Sequence, residues 1–190
     1  MEREDELYYV EKVIAGDLAS FSYLVDKYKQ RAYTLALKII RNEQDAEEVS
    51  QDAFLKAFRS LNKFKRQSSF STWLYRIVYN TALSRIRKKR IDTVSLDEEY
   101  LELSVDNTSQ AYSTLVNEDR KKFLNIAIGE LSEEESTLID LYYNHEKPMD
   151  EIGIIMSLSH VNVRVKLLRT RKKLHICLDK LLKTELKDIL

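Results

Sequence analysis

The chain has 190 residues, 44% of them hydrophobic, and its 31 Lys or Arg balance 31 Asp or Glu to a formal net charge of zero. Three Gly, one Pro and a single Cys exclude a Gly-rich phosphate loop, a turn-dense β-sandwich and an internal disulfide framework. No apolar run reaches the ~18 residues of a membrane span, and the opening MEREDE lacks a signal pattern, so the expectation is a soluble, cytoplasmic protein with no membrane insertion.

The chain reads as nearly all helix. Leu18, Phe21, Leu24, Val25 and Tyr28, then Ala32, Leu35, Ala36, Ile39 and Ile40, recur at three- and four-residue spacing and predict one or two helices with an apolar stripe. Asn42, with Asp45 three positions on, marks a fresh start, after which Val49, Ala53, Phe54, Ala57, Phe58 and Leu61 predict the next helix. A polar connection from Asn62 to Ser71 follows, and Trp73, Leu74, Ile77, Val78 and Ala82 line a further helix ending in RIRKKR. Asp92 to Asp119 carries eight acids, no Lys or Arg and weak periodicity, which predicts a solvated linker. Beyond it, Ser132 and Glu135 have capping-box spacing ahead of Leu138, Ile139, Leu141 and Tyr142. Pro148 suits the first turn of a short helix through Ile152, Ile155 and Met156; SLS breaks it, and a basic helix runs on from about His160. Helix, three-residue turn and basic helix is the grammar of a helix-turn-helix. The predicted fold is therefore all-α, two small helical domains over 1–91 and 120–190 joined by an acidic linker over 92–119, the second a helix-turn-helix domain.

The neutral total is a sum of opposed blocks. Glu43, Asp45, Glu47, Glu48 and Asp52 form an acidic stretch, whereas Arg59 to Ile91 holds ten Lys or Arg, no acid and the only Trp. Ile152 to Leu178 is again free of acids, with six Lys or Arg. Basic blocks interleaved with aromatics point to nucleic-acid surfaces. Trp73, Tyr75 and Tyr79 recur among the basic residues, although Trp73 and Tyr79 share the spacing of an apolar stripe and read equally well as core. Phe64 and Phe70, in the polar basic connection, are placed to hold an unstacked base. In HVNVRVKLLRTRKKL, Val163, Leu167 and Leu174 can face the core, which leaves Asn162, Arg164, Lys166, Arg169 and Lys173 on or beside the exposed face. Asn and Arg in the first turns suit base edges, and the later cations suit phosphates. With no acid for a long stretch, this helix has few partners at four-residue spacing. The acidic stretch would repel phosphates and faces either solvent or a basic protein partner. An enzyme is not expected, nor any metal or cofactor: His145, His160 and His175 lack metal-ligand spacing with Cys177, and no HExxH, paired CxxC, GxSxG or GxxxxGK pattern occurs. Cys177, on an apolar-spaced helix, reads as a buried small hydrophobe.

Two segments resemble a known family. DAEEVSQDAFLKAFRSLNKFKRQSSFSTWLYRIVYNTALSRIRKKR, Asp45 to Arg90, closely resembles region 2 of bacterial RNA polymerase sigma factors of the sigma-70 family's extracytoplasmic-function group. LSEEESTLIDLYYNHEKPMDEIGIIMSLSHVNVRVKLLRTRKKL, Leu131 to Leu174, resembles their region 4, in the family's order and with the acidic linker in place of a region 3. The resemblance implies a non-enzymatic protein that binds core RNA polymerase, grips promoter duplex with region 4 and captures single-stranded promoter DNA with region 2. It implies polymerase docking through Asp45, Glu48, Gln51, Asp52 and Lys56. It places a flipped base of the minus-ten element in the Asn62 to Phe70 loop, and so among Lys63, Phe64, Lys65, Arg66 and Phe70. The adjoining helix carries Trp73, Tyr75, Arg76, Tyr79 and Asn80, with Arg85, Arg87, Lys88 and Lys89 on phosphates. At the minus-thirty-five element it places Arg164, Val165, Leu168 and Arg169, beside Asn162, Lys166 and Lys173. Many members have a GxxxGT-like turn and a Ser where this chain has SLSHVN and Val165, so Val165 and Leu168 suggest methyl contacts to thymine. An anti-sigma partner is typical of the family. The residues alone leave two other readings open: a stand-alone helix-turn-helix DNA-binding regulator, which would bind duplex tightly without polymerase, and a helical protein-binding adaptor, indifferent to changes at Arg164 or Arg169.

Overall fold

A computed structural model describes residues 2–93 and 115–189, and every regular element among them is helical. In chain order these are α1 (Glu2–Ile14), α2 (Ala19–Ile40), α3 (Glu43–Ser60), a 3-10 turn (Leu61–Lys63), α4 (Phe70–Thr93), α5 (Leu115–Gly129), α6 (Glu133–Tyr143), α7 (Met149–Met156) and α8 (His160–Ile189). Most of the stretch predicted as acidic linker lies outside the described residues; α5 begins at Leu115, inside its end.

α1 carries no apolar stripe strong enough to announce it, yet Val10 and Val13 are buried where it packs on α2. Its Glu6 is buried too, accepting hydrogen bonds from the Tyr28 hydroxyl and from Lys27 Nζ at 3.0 Å. Tyr9 stacks on Tyr23 with ring centroids 3.8 Å apart. The long stripe of the next segment resolves into the single helix α2, buried along Leu24, Tyr28, Ala32, Leu35, Ala36 and Ile39, while its first member, Leu18, lies outside the helix and is exposed. α2 stops because Arg41 turns left-handed, φ 56°, and returns its N–H to the Leu37 carbonyl at 2.8 Å. Asn42 is then extended and caps α3, its Oδ1 accepting the Asp45 N–H at 2.9 Å, a contact worth about 1 kcal/mol. Ala46, Ala53 and Ala57 are fully buried on α3 and, with no bulk beyond Cβ, let it sit closely on α2 and α4, against Leu74, Val78 and Ala82.

In the second group, Ser132 and Glu135 form the capping box that their spacing predicts, with reciprocal bonds of 3.2 and 2.9 Å. Pro148 takes the N-cap position ahead of α7. In the turn to α8, Ser157 adopts the left-handed conformation, φ 56°, that a turn glycine usually supplies. The glycine of this motif sits four residues earlier: a Cβ on Gly153 would lie 2.7 Å from the Leu158 carbonyl oxygen, so only Gly lets the turn fold back against α7. Val163 and Leu167 then plug α8 into the core, as their spacing predicts.

The two groups touch. α6 packs on α2 and α7 on α4, Arg41 Nη2 donates to the Leu131 carbonyl at 2.8 Å, and the buried apolar residues of both groups join in one cluster. No helix among the described residues is long and apolar enough to cross a membrane.

Candidate nucleic-acid interface

The acidic helix and the basic helix that follows it are bound to one another. Asp45, buried on the first turn of α3, accepts from Arg85 Nε at 3.1 Å, from Arg85 Nη2 at 2.8 Å and from Lys89 Nζ at 2.5 Å on α4. Burial opposes ionisation of this carboxyl, but the hydrogen bonds from Lys89 and Arg85 outweigh it and hold the group below the usual carboxylate range. Asp45 thus ties α3 to α4 and is turned inward, and Arg85, 36% exposed, shares its donors between Asp45 and Glu48. Lys56 is likewise engaged, donating to Thr81 Oγ1 at 3.2 Å. Glu48, Gln51 and Asp52 are exposed, and two apolar residues share their helix surface: Leu55 is 52% and Phe58 37% exposed. Sequence reasoning missed both. Leu55 fell outside the buried stripe, which was itself the signal, and Phe58 was assigned to the core but lies at its edge, its ring centroid 5.0 Å from that of Phe21.

Lys63, which ends the 3-10 turn, and Lys65 and Arg66, in the loop leading to α4, are exposed, with Arg66 left-handed (φ 58°) and paired to Glu11 of α1 at 2.8 Å. Phe64 and Phe70 do not present their rings for a base. Both are buried, packed against Trp73 at centroid distances of 5.2 and 5.9 Å, because the loop has no other apolar residues with which to anchor itself. Trp73 stays half-buried above them. Arg76, Asn80, Arg87 and Lys88 continue outward along α4 at spacings that keep Arg76, Asn80 and Arg87 on one face. Tyr75 and Tyr79, expected on this surface, are buried. Tyr75 is only 1% exposed, edge-on to His145 of the second group at 4.8 Å and beneath Lys147 Nζ at 5.5 Å. Burial pushes its phenol up to about 12, against the opposing field of Arg31. Tyr79 is also raised, by burial first and then by Glu134 of α6.

On α8, Asn162, Arg164, Val165, Leu168 and Arg169 are exposed, and Val165 and Leu168 hold their methyl groups outward. Lys166 and Lys173 do find acids, across the fold: Lys166 Nζ lies 2.9 Å from Glu134 and Lys173 Nζ 2.8 Å from Glu135, both on α6. The sparse supply of partners inferred from local spacing is thus made up by tertiary packing. Arg171, one of the six cations of the acid-free stretch, lies over Tyr142 and Tyr143 at 4.9 and 5.4 Å. Cys177 is half-buried. The arrangement offers two exposed basic surfaces, one on α4 and its preceding loop and one on the first turns of α8, with a separate acidic and apolar strip on α3.

Comparison with known proteins bears on these surfaces. The family model described as sigma-70 region 2 matches residues 24–91, and that of sigma-70 region 4 matches residues 127–175. The ECF RNA polymerase sigma factor SigW of Bacillus subtilis is 33% identical over 178 residues, covering 87% of this chain and 92% of its own length. The RNA polymerase sigma-H factor of Pseudomonas aeruginosa is 28% identical, covering 95% of this chain and 97% of its own. Among solved structures, the sigma factor RpoE of Bartonella quintana, crystallised with the anti-sigma factor NepR, superposes with a TM-score of 0.68 at 23% identity, covering 84% of this chain and 96% of that one.

Proposed function

The chain belongs to the extracytoplasmic-function group of bacterial RNA polymerase sigma factors, and we propose that its α3 strip docks on core polymerase while α8 and α4 read the two promoter elements. The observation that carries this division of labour is the segregation of charge: two DNA-compatible basic faces, on α4 and α8, and ahead of both in sequence a helix, α3, whose exposed acids would repel DNA but suit a basic protein partner.

Glu48, Gln51 and Asp52 supply the polar part of the docking strip, and Leu55 and Phe58 its apolar centre, the kind of residue that dominates binding energy when desolvated. Arg164 and Arg169 sit where an α-helix entering the major groove presents side chains to guanine edges or phosphates, and Val165 and Leu168 meet thymine methyls. Asn162 completes this minus-thirty-five face. On the minus-ten side, the exposed Lys63, Lys65, Arg76 and Asn80 and the half-buried Trp73 meet the single strand, and Arg87 and Lys88 follow the backbone. A base stacked on an aromatic gains roughly 1–3 kcal/mol, of the order of the few kcal/mol that unstacking it costs, so single strand is captured without any bond being broken. The protein is not an enzyme; it acts by binding, in the cytoplasm with the polymerase. Its regulator is an anti-sigma factor, by likeness to the RpoE relative crystallised with NepR.

Promoter footprinting with and without core polymerase tests the reading. Protection at both elements that requires the core supports it. Tight, symmetric duplex binding by the isolated chain would move the function to a stand-alone regulator.

A further inference from the structure

We infer that Glu134 and Glu135 of α6 are positioning residues for duplex binding: they hold Lys166 and Lys173 of α8 away from phosphates and so cap the part of the DNA affinity that ignores sequence. The inference rests on the sigma-factor reading for the use of α8, and deepens it by giving α6 a part in that use.

Helical spacing defines the flank concerned. Asn162, Lys166, Arg169 and Lys173 recur at intervals of four, three and four, so they line one stripe of α8. Val163, Leu167 and Thr170 are buried on one side of this stripe, and Val165 and Leu168 are exposed on the other. The stripe therefore borders the face that would enter a major groove, where a duplex brings its phosphates.

Against this stripe stands the first turn of α6. Lys166 Nζ donates to Glu134 at 2.9 Å and Lys173 Nζ to Glu135 at 2.8 Å. The two carboxylates share with Lys166 and Arg169 the walls of a shallow cleft of about 190 Å³ between the helices. Arg169 forms no ion pair among the described residues. Glu135 is fixed in place, because its Oε2 also accepts the Ser132 N–H of the capping box at 2.9 Å. Burial opposes its ionisation, but the hydrogen bonds from Lys173 and Ser132 outweigh burial and hold the carboxyl below the ordinary range. It is a stationary negative charge at neutral pH.

The ion pairs do little for the fold. Their side chains keep 30–44% of their surface exposed, and pairs of that kind contribute about 0–1 kcal/mol. Their effect falls on DNA instead. A cation that reaches a phosphate releases a counterion and adds about 0.9 to the slope of log affinity against log salt. A cation already neutralised by a carboxylate adds less, and the carboxylate itself repels the strand. With Lys166 and Lys173 engaged, Arg164, Val165, Leu168 and Arg169 are left to grip the duplex, and a larger share of the binding depends on sequence.

The test uses the full chain assembled with core polymerase on a promoter duplex recovered from a genomic pool, beside the same duplex with its minus-thirty-five element scrambled. Glu134→Gln and Glu135→Gln remove one charge each, and glutamine at the second position still completes the capping box. Each variant is expected to keep the wild-type Tm to within ~4 °C, to bind both duplexes more tightly and to steepen the log–log salt slope by about one unit. Its advantage over wild type should then shrink roughly 3.5-fold between about 50 and 200 mM salt. Adding Lys166→Met to Glu134→Gln keeps the aliphatic stem, removes the freed charge and should return the slope to the wild-type value. Unchanged slopes in both glutamine variants overturn the inference. So does a steeper slope that survives Lys166→Met, because the lysine is then not its source, and so does a gain confined to the unscrambled duplex, the mark of a base contact. Failure of wild type to bind the promoter with core polymerase, with the steeper slope still seen when the variants alone bind random-sequence duplex, would count against the sigma-factor reading and leave the role of the two acids standing.

Discussion

Replacing Asp45 by Asn separates a structural role from a docking role. The carboxylate receives three charged hydrogen bonds, two from Arg85 and one from Lys89, in a position where its side chain is 9% exposed. Removing one partner of a fully buried pair costs ~3–5 kcal/mol, but Arg85 and Lys89 are 36% and 59% exposed and Arg85 keeps Glu48, so solvent takes back much of that cost. The expected destabilisation is about 1–2 kcal/mol, equivalent for a chain of this size to a fall in Tm of roughly 2–8 °C. Because the folded-state pKa of Asp45 is depressed, its contribution is present above the ordinary carboxylate pKa and is lost as pH falls through the depressed value. The gap in Tm between wild type and variant should therefore close in acid. Circular-dichroism melting, paired with a polymerase-binding titration well below Tm, reads both effects. D45N should melt early yet bind polymerase normally, whereas Glu48→Gln with Asp52→Asn should melt normally and bind weakly. An unchanged Tm with lost polymerase affinity would refute the assignment of Asp45 to the fold.

Three further outcomes follow from the helix-turn-helix and the loop. Gly153→Ala places a methyl 2.7 Å from the Leu158 carbonyl oxygen and should cost about 2–3 kcal/mol in chemical denaturation. Ser157→Gly relieves a left-handed serine and should stabilise by about 0.5–1 kcal/mol in the same assay. Arg169→Ala should weaken binding of a minus-thirty-five duplex and, if the guanidinium meets phosphate, flatten the log–log salt dependence by about one unit; an unchanged slope with a change in base preference would place it on a base edge instead.

Local chemistry was legible in the sequence and distant chemistry was not. The capping box at Ser132, the start of α3 at Asn42 and the division between α7 and α8 depend on residues three or four apart, and each stands where spacing put it. Burial of Tyr75 depends on His145 and Lys147, some seventy positions away, and no periodicity along α4 carries that information. The same holds for Asp45, whose partners lie on another helix, and for Lys166 and Lys173, whose acids come from α6. Phe64 and Phe70 misled for a different reason. In a polar loop an aromatic serves as readily to anchor the chain as to receive a base, and the anchoring partner, Trp73, became apparent only when the loop folded back on it. α1 escaped notice because acids crowd its start and Glu6 itself is buried on the face that Leu7, Val10 and Val13 turn to the core.

Run-off transcription with purified core polymerase on a genomic promoter pool tests the central claim most directly, with wild type set against the Glu48→Gln, Asp52→Asn double variant. Discrete start sites that wild type directs and the variant loses, with DNA binding retained, are the expected result. No start sites from the wild-type chain, despite DNA binding, would contradict a sigma factor docked through α3.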